Sequence, residues 1–90
     1  MLFVVIMHQI VPNKELIERR LGWDYPEGMR VVGEYWLEGS VASAIAIVEA
    51  DTYAQLLELT SAWDDIVDFQ IAPAISAADG MILARSMHAA

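Results

Sequence analysis

Residues 30–49, RVVGEYWLEGSVASAIAIVE, hold two strand patterns joined by a turn. From Arg30 to Glu38, Val31, Gly33, Tyr35 and Leu37 alternate with Val32, Glu34, Trp36 and Glu38. One face is therefore half-polar, which suits a strand at a sheet edge. Gly39-Ser40 supplies the tight-turn signal. Val41 to Glu49 is apolar on both faces, with Ala42, Ala44 and Ala46 on one side and Ile45 and Ile47 on the other. A strand greasy on both sides is covered on both sides, hence central in its sheet. An edge strand hairpinned to a central strand fixes the frame into which the flanking segments must fit.

Upstream, Leu2 to Met7 is a second two-faced apolar strand, with Leu2, Val4 and Ile6 against Phe3, Val5 and Met7. Pro12 stops it, and Asn13 is the expected N-cap of a helix over Lys14 to Leu21, whose stripe is Leu16, Ile17, Arg20 and Leu21 and whose terminator is Gly22. Trp23 to Met29, with Pro26 and Gly28, reads as a loop. Downstream, Asp51 is the expected cap of a helix over Thr52 to Trp63 that turns Tyr53, Leu56, Leu57, Thr60 and Trp63 to one side. Ile66 to Ala72 alternates Val67, Phe69 and Ile71 with Asp68 and Gln70, and Pro73 is expected to end it. Ser76 to Ala90 has helical composition interrupted by Gly80.

The order strand, helix, strand, strand, helix, strand is the split βαβ pattern of an α+β, ferredoxin-like fold. It predicts a four-stranded antiparallel sheet with two helices on one face, formed by residues 1–75, and residues 76–90 as a short C-terminal helix and tail. Right-handed crossovers put both helices on the same side. The other sheet face is left bare, and packing it against a second copy in a homodimer is the expected remedy.

With 90 residues and 10.0 kDa the chain makes one small domain. It is 57% hydrophobic with a mean hydropathy of +0.40, which places it far from disordered sequences. Thirteen acidic residues against five basic ones give a net charge of −8, which argues against nucleic acid as a partner. The absence of cysteine removes disulfides, thiolate nucleophiles and cysteine-based metal sites, and two histidines are too few for a convincing metal or cofactor centre. No stretch approaches the length of a membrane span, and the apolar N-terminal run lacks the charged lead-in and cleavage site of a signal peptide. A cytoplasmic protein without a membrane partner is the expectation.

Candidate site residues are few. His8 ends the first strand, in parity with Leu2, Val4 and Ile6, and an imidazole at a pocket rim is a candidate general base. Glu49, in parity with Ile45 and Ile47, is its candidate partner. Tyr25, Tyr35 and Trp36 are candidate walls for a flat ligand, with Tyr35 favoured over Trp36 because it shares parity with Leu37. Arg30 is a candidate clamp for a ligand carboxylate. Asp64, Asp65 and Asp68 cluster without the spacing of a cation loop. No phosphate loop, dinucleotide fingerprint, nucleophile elbow or zinc pattern occurs. Three readings stay open: a protein that binds a small apolar or aromatic molecule, a cofactor-independent enzyme with His8 at its centre, and an interaction module with no ligand.

The opening MLFVVIMHQIVP, the hairpin EYWLEGSVASAIAIVEAD and the closing SAWDDIVDFQIAPAI together resemble the domain-of-unknown-function family numbered 3303, of the dimeric α/β-barrel superfamily, over residues 1–75. The resemblance implies a ferredoxin-like subunit paired with a second copy. Across that superfamily it implies monooxygenases, polyketide cyclases, lactone isomerases, haem-dependent enzymes and proteins without known activity, so the fold alone selects no function. The haem-binding members place a histidine on a helix and the cyclases gather several around one pocket, patterns that His8 and His88 do not reproduce.

Overall fold

The computed structural model of the chain describes residues 1–38 and 41–89. The elements run β1 (Leu2–Gln9), α1 (Asn13–Leu21), β2 (Arg30–Trp36), β3 (Ala44–Glu49), α2 (Tyr53–Ser61), β4 (Val67–Ala74) and α3 (Ala77–His88). The four strands form one antiparallel sheet in the order β2-β3-β1-β4. The two strands apolar on both faces are central and the two half-polar strands are at the edges, the strand order of a ferredoxin-like fold. The Gly39-Ser40 turn lies outside the described residues.

Register decides which face meets the helices. Val5 lies opposite Ala46, and Phe3 opposite Val48. Val5, Ala46 and Val48 are fully buried, and Leu59 of α2 closes over them. Trp63, Ile66 and Val67 extend this core beneath α1, where Leu16 packs. The opposite face carries Leu2, Val4, Ile6 and His8 from β1 with Ile45, Ile47 and Glu49 from β3, all half-buried. Ala44, Ala46 and Val48 of β3 thus face the helices, and Ile45 and Ile47 face away. A helix needs close approach to a sheet centre, and alanines permit it.

Local chemistry explains where the elements begin and end. Pro12, not Asn13, caps α1, because Asn13 Oδ1 is engaged by Gln9 Nε2 at 2.6 Å and caps nothing. Thr52, not Asp51, caps α2 through a capping box with Gln55, and Gln55 Oε1 also accepts the Asp51 N–H. Pro73 lies inside β4, opposite Phe3, rather than ending it. An edge strand tolerates a proline whose missing N–H points away from its neighbour. β2 stops at Trp36, and a bulge between Val31 and Gly33 leaves Val32 unpaired. Beside that bulge the Tyr35 ring lies across Gly33, where a Cβ would come 2.8 Å from its hydroxyl and displace the exposed ring.

Two helical stripes differ from the expected ones. On α1, Leu21 is 80% exposed and Ile17 40%, while Arg19 and Arg20 are half-buried beside Leu16. On α2, Leu56 and Leu59 are buried whereas Tyr53 and Leu57 face solvent. The α2 stripe is Leu56, Leu59 and Trp63 because the chain leaves the helix at Ser61 and tightens into a turn, with the Trp63 N–H donating to the Thr60 carbonyl at 3.1 Å.

α3 stands apart from this body. It runs unbroken through Gly80, is capped by Ser76 and buries none of its twelve residues. Its projection stretches the molecule to 53 × 30 × 17 Å, with a radius of gyration of 15.4 Å. A compact chain of this length has about 12 Å.

The core assignment predicts that Leu59→Ala, which empties space above Val5 and Val48, lowers unfolding free energy by about 2–5 kcal/mol. Leu57→Ala, two residues away on the wet side, should cost less than about 1 kcal/mol. Urea denaturation of both variants checks this, and equal losses would place the wrong face inward.

Candidate functional site

Above Ala44 and Ala46 the helices do not close completely on the sheet. They leave a cavity of about 170 Å³, mostly apolar, lined by Val5, Met7, Leu16 and Leu59 and walled by Trp23, Tyr25, Trp36 and Trp63. The aromatic wall is packed on itself. Trp23 meets Trp63 edge-on at 5.4 Å between centroids and lies 4.7 Å from Tyr25.

One polar cluster enters this lining, and Glu34 is its centre. Its position on β2 aims it at the helix side. Arg20 of α1 reaches it with Nη2 at 2.9 Å and Nε at 3.1 Å. The Tyr25 hydroxyl donates to Glu34 Oε1 and the Trp36 indole N–H to Oε2, each at 2.7 Å. Arg20 also donates to the Trp23 carbonyl at 2.9 Å, and its guanidinium lies 5.6 Å from both the Trp23 and Tyr25 ring centroids. Burial by itself would raise the Glu34 carboxyl. The hydrogen bonds from Arg20, Tyr25 and Trp36 overcome that and hold it down at about 2. Burial, then the hydrogen bond to Glu34, pushes the Tyr25 hydroxyl up. The hydrogen bond to Glu34 raises Arg20. Arg20, Tyr25 and Glu34 are the titratable groups in the lining among the described residues, and none exchanges its proton near neutrality. The carboxylate, met by donors on both oxygens, is a structural anchor rather than a free base.

The residues singled out from the sequence are divided by this geometry. Tyr25 and Trp36 line the cavity. Tyr35 does not: its ring lies across Gly33, 57% exposed, because Glu34 and Trp36 take the helix-facing parity. Leu37 lines the cavity too, but β2 has ended by then, so alternation no longer governs it. His8 is on the far face, opposite Asp68, with Nε2 3.4 Å from Gln70 Oε1. It borders a separate open recess with Gln9, Asn13, Glu38 and Ser43. Arg30 and Glu49 are cross-strand partners on that far face, joined by Arg30 Nε to Glu49 Oε2 at 2.9 Å, so Glu49 serves Arg30 and not His8. Asp65 is engaged by Arg19, and no group of three potential metal ligands occurs among the described residues.

The loop from Trp23 to Met29 supplies two cavity walls but is fastened rather than free. Tyr25 is tied to Glu34, and Gln55 Nε2 donates to the Glu27 carbonyl. Gly28 sits at φ +83°, where a Cβ would come within 2.7 Å of that same Gln55 nitrogen. Its role is the tight turn. Glu34 and Arg20 escaped the sequence reading, although a signal was there: an arginine inside the apolar stripe of a helix demands a carboxylate opposite it.

The sequence matches the family described as Domain of unknown function (DUF3303) over residues 1–87, and the chain belongs to that family. No curated protein and no solved structure matches it. No helix among the described residues is long and apolar enough to cross a membrane.

Glu34 titrates at about 2 in the folded chain against an ordinary value of 4.5, so its stabilisation is fully present above about pH 4.5 and is lost as pH falls toward 2. Glu34→Gln strands the charge of Arg20 and should cost about 1–3 kcal/mol at neutral pH. The gap from the parent chain should shrink between pH 5 and pH 2. Urea unfolding across that range tests it, and a gap independent of pH would contradict the assignment.

Proposed function

We propose that this member of the DUF3303 family binds a small apolar or aromatic molecule in the cavity between its helices and sheet. The observation that carries the reading is a mostly apolar space with four aromatic walls whose ionisable groups among the described residues, Arg20, Tyr25 and Glu34, are held in one protonation state. Such a lining excludes water from a greasy ligand and offers no proton donor or acceptor for turnover. The volume, about 170 Å³, sets the ligand size. Apolar cavities of about 150 Å³ take up benzene, so the occupant is one ring or a short branched chain. The position of His8 outside the cavity weighs against the reading in which it serves there as a general base. Toluene should raise the midpoint of thermal unfolding in a saturable way, and Ala46→Leu, which fills the cavity floor, should abolish the shift. An unchanged midpoint with toluene would overturn the reading.

We further propose that the chain is a homodimer packed through the helix-free sheet face. What supports it is the stripe of Leu2, Val4, Ile6, Ile45 and Ile47, which one copy leaves half-buried on the face away from the Val5–Leu59 core. The exposed Met81, Ile82, Leu83 and Met87 of α3 add apolar surface that a single copy does not cover. Residues 1–75 are then the paired unit and the C-terminal helix its appendage. Light scattering at micromolar concentration should give twice the 10.0 kDa chain mass, and Ile47→Lys should halve it. A stable parent monomer would refute the dimer.

A further inference from the structure

We propose that the ligand carries a neutral hydroxyl on its apolar body, and that the recess beside the cavity receives this group. The inference rests on the cavity reading above and adds the chemical class of the ligand. The open recess bordered by His8, Glu38 and Ala42 shares four wall residues with the cavity, namely Gln9, Asn13, Leu37 and Ser43. A molecule seated on Ala44 and Ala46 therefore meets, besides the Glu34 cluster whose members are paired with one another, a second polar neighbourhood at this junction.

The hydrogen bonds already present fix what that neighbourhood has left to offer. Gln9 Nε2 donates to the Val11 carbonyl at 2.9 Å and to Asn13 Oδ1 at 2.6 Å. That orients both amides, since a backbone carbonyl only accepts and the donor of a side-chain amide is its NH₂. Gln9 Oε1 is left as an acceptor and Asn13 Nδ2 as a donor. The Gln9 backbone N–H donates to Ser43 Oγ at 3.0 Å, which leaves the Ser43 hydroxyl proton to be given. Among the described residues neither Asn13 Nδ2 nor Ser43 Oγ donates to a protein group. Two donors and an acceptor thus belong to residues of the wall that cavity and recess share. A hydroxyl, which both donates and accepts, matches such a mixed set. A carboxylate matches only the donors and would meet Glu38 and the −8 charge of the chain.

The test uses three probes with the same ring: toluene, benzyl alcohol and benzoate, titrated into the full chain and followed by amide and side-chain NMR shifts. Benzyl alcohol should bind roughly tenfold tighter than toluene and more tightly than benzoate, as expected for a well-made polar pair in a partly dry site. The Asn13 side-chain NH₂ resonances should move with benzyl alcohol and not with toluene. Asn13→Ala and Ser43→Ala should each reduce the preference for benzyl alcohol over toluene severalfold. A purely structural role for either residue would weaken both probes alike and leave the ratio unchanged, which would count against the proposal. Equal binding of toluene and benzyl alcohol overturns the hydroxyl subsite while the cavity reading stands. Tighter binding of benzoate replaces it with an anion site. Failure of all three probes to bind removes the cavity reading and this inference together.

Discussion

The ion pair between Arg20 and Glu34 joins three parts of the molecule. Arg20 belongs to α1, Glu34 to the edge strand β2, and Tyr25 and the Trp23 carbonyl, which complete the cluster, to the loop between them. A partly buried carboxylate is tolerable because Arg20, Tyr25 and Trp36 supply donors to both its oxygens. Removing the arginine would leave a charge in a greasy wall. Keeping it forces the loop to arch between helix and strand, and Trp23 and Tyr25 become walls rather than surface residues. Beneath that arch the sheet offers the small side chains of Ala44 and Ala46 beside Val5 and Met7. A fixed roof over a floor of methyl groups leaves space, and the cavity follows from those two facts.

The sheet was legible in the sequence because strand centrality shows in composition. β1 and β3 are apolar on both faces, and antiparallel pairing with two half-polar edges left one arrangement. The choice of face was not legible in β1, where Leu2, Val4 and Ile6 are as apolar as Phe3, Val5 and Met7. Parity therefore could not say that His8 points away from the helices. The clue was on β3. Alanines at 44 and 46 allow close helix approach, whereas Ile45 and Ile47 do not, and the register Val5 opposite Ala46 transfers that preference to β1. For β2 the alternation is broken by the bulge between Val31 and Gly33 and ends at Trp36. Extending it to Leu37 misassigned Tyr35, which lies over Gly33 on the outer face.

Charged residues were read individually, and they act in pairs. Arg30 with Glu49, Arg19 with Asp65 and Arg20 with Glu34 engage three of the five basic side chains. The first two pairs are exposed and contribute little to stability. The third is sheltered and shapes the site. Sequence alone separates these cases poorly, because partners 14 to 46 positions apart are brought together only by the fold. The one local hint was an arginine within the apolar stripe of α1.

The account stands on a cavity held open by Arg20 and Glu34 and receptive to an apolar guest. A crystal structure of the protein under xenon pressure tests this most directly, since xenon enters enclosed apolar spaces without needing polar partners. The account predicts a strong xenon peak between Ala46, Leu59, Trp23 and Trp63, reduced in Ala46→Leu. A structure with Trp23 or Trp63 folded down onto Ala44 and Ala46, and no xenon between helices and sheet, would contradict it.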